Sequence, residues 1–191
     1  MPAKFYTYAL YHTFTMLIVL LSPSISFSQS NVLVTKNGHA EFVSDAPLEI
    51  IRAHSDDVFG AIDKLKSSFA FGIHIQSFKG FNGDLQREHF HENYMETEKY
   101  PIASFSGKFI DPVDFSTNGI YSVRAKGILQ IHGIDKERII KGTITVKNGM
   151  IAINSSFIVS LEDHNIKVPR IVYQKISQQV IIEVKSNFVN Q

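Results

Sequence analysis

The chain of 191 residues contains no cysteine. A disulfide framework is therefore excluded, as is a lipid-modified N-terminal cysteine. Stability must come from core burial, for which a chain of this length is sufficient. An excess of charge is also missing. Nineteen Lys and Arg face 18 Asp and Glu, and Lys4 is the only one of these before residue 29. The remainder is neutral and carries no basic stripe of the kind that nucleic acid demands. No apolar run reaches the roughly 20 residues of a bilayer-spanning helix. No glycine-rich loop sits between a strand and a helix to cradle a phosphate, and neither a repeat nor a low-complexity linker divides the chain.

Near the N-terminus, Lys4 precedes an uncharged run from Ala9 to Leu21 that is apolar from Met16 onward. Pro23 follows, then Ser26-Phe27-Ser28, with small residues at the spacing a signal peptidase requires. This predicts a secretory signal peptide over residues 1–28, cut after Ser28, and a single exported domain over 29–191. The protein is expected in the periplasm or secreted, with no stable membrane insertion after cleavage.

What the rest of the chain does have is alternation. Phe69, Phe71, Ile73 and Ile75 form one row, and Ala103, Phe105, Gly107 and Phe109 another. Tyr121, Val123, Ala125, Gly127, Leu129 and Ile131 form a third, followed by Ile140, Gly142, Ile144 and Val146. Ile151, Ile153, Phe157, Val159 and Leu161 continue the series, then Val180, Ile182 and Val184, with a shorter run at Val58, Gly60 and Ile62. A period of two means strands with one buried face, and so many in one small chain indicate a closed barrel or a sandwich. A barrel of about eight strands is either just filled by its side chains or holds one small ligand. Gly107, Gly127 and Gly142 on the inward rows are expected to leave volume for such a ligand. A strand glycine can equally mark a bulge or a tight corner around a filled core.

Asn37-Gly38, Asn118-Gly119 and Asn148-Gly149 lie between strand-like runs and read as hairpin turns, because both residue types tolerate the positive φ of a type I′ turn. The strand ending at Ile62 is expected to turn through Asp63 to Lys66. Asp84–Glu96, preceded by Asn82-Gly83, is rich in helix formers, and Val172–Gln178 reads as a second short helix with Pro169 near its start. One of these would lid the open end of a barrel.

Four elements together resemble the YceI-like family. They are Gly60-Ala61-Ile62-Asp63 at a strand end, a helix at Leu85–Tyr94, Glu98-Lys99-Tyr100-Pro101 leading into the strand Ala103–Phe109, and Leu129-Gln130-Ile131-His132-Gly133 closing a later strand. The resemblance spans roughly Gly60 to Leu161. It implies an all-β fold, an extended lipocalin-like antiparallel β-barrel with one or two short helices. It also implies an exported protein that holds a polyisoprenoid or other long lipophilic chain in its lumen. The chain departs from the family pattern at its only His-Ser pair, His54-Ser55, which runs into Asp56-Asp57 instead of an apolar row.

The residues expected to line the lumen are Phe69, Phe71, Ile73, Phe105, Gly107 and Phe109, then Tyr121, Val123, Ala125, Gly127 and Leu129, with Ile144, Phe157 and Val159 opposite. His89, His91 and Glu92 are the only dense group of potential metal ligands. On a helix only His89 and Glu92 share a face, and two ligands make a poor zinc site, so no metal or other cofactor is expected. His132 at a strand end is expected to hydrogen-bond the turn. Lys99 is placed to meet a polar headgroup at the mouth. No nucleophile with a base is visible, so the protein reads as a binding protein and not an enzyme. Two alternatives remain at this point: an enzyme acting on a lipid-like substrate in the lumen, to which an inward Ser155 would point, and a structural module with a filled core. A homodimer is compatible with either.

Overall fold

The alternating rows are the strands of a single sheet. In a computed structural model, which describes residues 31–190, eight antiparallel strands close into a barrel, each bonded to its sequence neighbour and β1 to β8. They are β1 (Val32–Asp45), β2 (Ile50–Asp63), β3 (Ser68–His74), β4 (Ile102–Phe109), β5 (Gly119–Ile131), β6 (Ile134–Lys147), β7 (Met150–Ser160) and β8 (Gln179–Asn190). The signal segment read at 1–28 lies outside the described residues. Closure removes the free strand edges that an open sheet would expose. Among the described residues no helix is long and apolar enough to cross a membrane.

Turn chemistry behaves as the residue types dictate at two of the four places named. Asn148 and Gly149 both adopt positive φ and join Lys147 to Met150 in a two-residue hairpin. The Asp63 carboxylate accepts the Leu65 and Lys66 N–H groups at 3.0 Å and closes the β2–β3 turn. Asn37-Gly38 is a correction: it is no hairpin but lies inside β1, with neither residue at positive φ, where the β1–β2 register shifts. Asn118-Gly119 is likewise not a two-residue turn; it ends a longer connection, residues 110–118, between β4 and β5. The tight β5–β6 hairpin is instead made by His132 and Gly133, both at positive φ.

The first predicted helix forms as α1 (Asp84–His89), continued by one π-helical turn over Phe90–Tyr94. Val172–Gln178 does not form a helix. A 3₁₀ turn at Arg170–Val172 follows Pro169, and tertiary partners then take the backbone: the Gln174 carbonyl accepts from the Leu48 N–H and the Ser177 N–H donates to Ser44 Oγ.

The two ends of the barrel differ. At one end the strands are joined by short turns and by residues 110–118, which pack Val113 and Phe115 against a dense core of Leu33, Ile62, Phe69, Val123, Ile144 and Phe188. At the other end two long connections, residues 75–101 and 161–178, fold over the strand ends.

Candidate functional site

Beneath those two long connections lies an apolar cavity of about 610 Å³, within the range of ligand-binding pockets. Its strand walls carry Phe42, Ile51, Phe71, Ile73, Phe105 and Leu129, with Phe157, Val159 and Val180 across from them. Its cover is aromatic. Phe90, from the π-helical turn, stacks on Phe42 at 5.3 Å and packs on Phe81 at 5.0 Å, while Phe78 meets Phe42 at 5.5 Å. Ile166, Val172 and Ile176 from the β7–β8 connection complete it.

Of the residues the sequence assigned to the lumen, the structure brings Phe71, Ile73, Phe105, Leu129, Phe157 and Val159 to the cavity wall. The rest lie outside it. Phe69, Phe109, Tyr121, Val123, Ala125 and Ile144 belong to the packed core of the opposite end, where Phe69 contacts the rings of Phe105 and Phe109 at 4.9 and 5.1 Å. Gly107 and Gly127 do not leave volume either. They face each other across β4 and β5, and a Cβ on Gly107 would strike the Lys126 carbonyl, one on Gly127 the Ser106 carbonyl. Gly142 is hemmed in by the Asn154 carbonyl in the same way. These glycines permit close backbone approach.

Hydrogen bonds fasten the cover to the strands. Glu49, on the β1–β2 connection, accepts from Gln86 Nε2 at 2.9 Å and Asn82 Nδ2 at 3.3 Å, and Asn82 also donates to the Ile50 carbonyl. Leu48 binds the Gln174 carbonyl at 2.9 Å. A second fastening surrounds His132. Its Nε2 lies 2.7 Å from Glu96 Oε2 and its Nδ1 3.1 Å from the His164 carbonyl, with Tyr100 packed edge-on at 4.6 Å. A Cβ on Gly133 would strike that Tyr100 ring. The Tyr-Pro and His-Gly elements singled out in the sequence therefore meet in space, binding both long connections to the β5–β6 hairpin. His164 is fully buried; its Nδ1 lies 3.2 Å from the Ile134 carbonyl, and its Nε2 makes no hydrogen bond within 3.5 Å among the described residues. Burial holds its pKa below the usual imidazole value.

Few groups here are equipped for chemistry. Ser155 Oγ donates to the Lys141 carbonyl at 2.7 Å and does not face the cavity. His89 lines the cavity, whereas His91 turns to Thr97 Oγ1 at 3.2 Å and packs on Phe90. Burial lowers the His91 pKa and raises that of Tyr94, a cavity-lining phenol. Among the described residues no three His, Asp or Glu stand together as a metal site. Lys99 does not reach the cavity but lies over the Tyr100 ring at 4.8 Å.

A model of the YceI-like domain matches residues 26–188. A search of curated proteins found no match. Among solved structures, the barrel is similar to a polyisoprenoid-binding domain from Saccharophagus degradans implicated in plant cell wall breakdown, with a TM-score of 0.70 and 13% identity over 85% of this chain and 100% of that one. BcnA of Burkholderia cenocepacia gives 0.61 and 15% over 78% and 95%, respectively. A YceI protein of Campylobacter jejuni gives 0.55 and 16% over 73% and 84%. The chain belongs to the YceI-like family.

Proposed function

We propose that this YceI-like barrel is an exported carrier that sequesters a polyisoprenoid or another long-chain lipid in its cavity and performs no chemistry on it. The observation that carries the reading is the apolar cavity of about 610 Å³ at one end of the barrel, walled by aromatic and aliphatic side chains and covered by two fastened connections. Burying several hundred Å² of hydrocarbon there at about 25 cal/mol per Å² yields roughly 10 kcal/mol gross. Immobilising a flexible chain offsets a good part of it, which leaves micromolar or tighter affinity. A carrier needs only this burial, reversible through the cover, and no nucleophile or metal.

The test is mass spectrometry of organic extracts from protein purified under native conditions, paired with displacement of a fluorescent lipid probe. A co-purifying lipid released in stoichiometric amount, with saturable probe binding, is the expected result. Protein that carries no lipid and binds no probe would overturn the reading. Export is tested separately by N-terminal sequencing of the extracytoplasmic protein, which should begin at or near Gln29; a retained Met1 would contradict it.

A further inference from the structure

The β7–β8 connection has a second face. Val172 and Ile176 point into the cavity, but their neighbours Ile171 and Tyr173 are 92% and 61% exposed. Ile171 is thus an almost fully solvated aliphatic side chain at the edge of an apolar opening. Leu48, Ile50 and Leu85 are exposed too, and the Leu48–Gln174 and Asn82–Ile50 hydrogen bonds hold these segments on one rim. The connection, residues 161–178, holds two acids, Glu162 and Asp163, at its start, and three cations, Lys167, Arg170 and Lys175, along the stretch that carries Ile171 and Tyr173. None of the three forms an ion pair among the described residues. Two carboxylates across the rim are engaged elsewhere: Glu49 accepts from Gln86 and Asn82, and Asp84 pairs with Arg87 at 3.1 Å.

We propose that this rim docks on the surface of an anionic lipid bilayer, with Ile171 and Tyr173 inserted at the headgroup boundary and the cations against lipid phosphates. Apolar and aromatic tips surrounded by unpaired cations are the composition that such an interface selects. Tyr173 suits it further, since its ring is apolar while its hydroxyl, whose oxygen accepts from Gln174 Nε2 at 3.0 Å, keeps its O–H free to donate. A second copy fits less well. A two-fold contact through this patch would set the same three cations against one another. Docking here would place the cavity mouth against the membrane, so that a lipid passes between bilayer and barrel without crossing water. That consequence rests on the carrier reading; the docking does not.

Co-sedimentation tests it, using vesicles of phosphatidylglycerol and phosphatidylcholine in equal parts against phosphatidylcholine alone. The protein should bind the first and much less the second, and high salt should weaken the binding. Ile171→Asp with Tyr173→Asp should weaken partitioning at least roughly tenfold, while melting and soluble probe binding stay as in wild type, because neither side chain packs in the barrel. Lys167→Gln with Arg170→Gln should lower affinity for the anionic vesicles only. Absent vesicle binding, or binding untouched by both pairs, would overturn the docking and leave the carrier reading intact. So would a dimer that the Asp variants dissociate without any vesicle binding. Vesicle binding without probe uptake would instead remove the carrier reading and leave docking in place.

Discussion

At one end of the barrel Leu33, Ile62 and Ile144 are at most 1% exposed and the rings of Phe69 and Phe109 pack at 5.1 Å; at the other, Phe90, Leu161 and Ile176 stay half-buried under two connecting segments. The strands supply large apolar residues to both ends. What separates them is the connections. Short turns cannot cover an opening, so the inward rows there must fill it themselves, helped by Val113 and Phe115 of the β4–β5 connection. Long connections bring their own aromatic residues, and the strand rows can then stand apart. The cavity comes from what covers the barrel, and the glycines in its walls serve close strand contact.

The largest effect expected from breaking this contrast is at Phe69. Phe69→Ala empties a site packed by three other rings and should cost about 3–5 kcal/mol of stability, read by chemical denaturation, while probe affinity changes little. A fall in probe affinity without a loss of stability would mean that the packed end also takes ligand. Gly127→Val comes next. Its side chain would enter the Ser106 backbone, so a loss of about 1–3 kcal/mol is expected even though valine favours strands. An unchanged or raised melting temperature would return the glycines to the role of making space.

Acid should reach the two ends in different pH windows. His164 is buried at the open end with its folded pKa below the ordinary imidazole value of 6.5, and burial is the largest cause. The unfolded chain then binds more protons just below that value, so stability contributed there is present above pH 6.5 and is lost as pH falls toward the folded pKa. His164→Phe should flatten this slope in amide-exchange protection of residues 161–178. At the packed end, hydrogen bonds from Ser116 and Thr117 lower the Asp114 pKa from 3.8 to about 2. Its contribution is present above pH 3.8 and lost as pH falls through about 2. Asp114→Asn should loosen residues 110–118 already at neutral pH, visible as raised amide exchange. The same slope in His164→Phe as in wild type, or no change in Asp114→Asn, would contradict these assignments.

Much of the fold was legible because an unbroken period of two leaves one row inside, as in β3 to β8. Strand β1 and the first half of β2 were not. Along β1 the buried row passes from Leu33 and Thr35 to Gly38, Ala40 and Phe42, and along β2 from Ile51, Ala53 and Ser55 to Val58. An irregularity in register shifts each row to the other parity, so the pattern breaks at Asn37-Gly38 and at Asp56-Asp57. Small or polar inward residues such as Ala53 and Ser55 hide the row further. At the site, the strand rows named the wall but not where along the barrel the wall stops being core. That boundary depends on Phe78, Phe81, Phe90 and Ile176, which lie in segments without periodicity. Their one sequence signal is the set of phenylalanines flanking the helix.

The smallest change in stability is expected where the account predicts open space. Ala103 sits on β4 at the cavity wall and Ala125 on β5 in the packed end. Thermal melting and lipid-probe displacement on Ala103→Phe and Ala125→Phe, side by side, test the division of the barrel most directly. Ala103→Phe should stay within about 1 kcal/mol of wild type and lose roughly tenfold or more in probe affinity, because its ring occupies the ligand's volume. Ala125→Phe should lose about 1–3 kcal/mol to overpacking and keep its probe binding. The reverse outcome, with Ala103→Phe strongly destabilised and still binding while Ala125→Phe stays stable but no longer binds, would contradict the account.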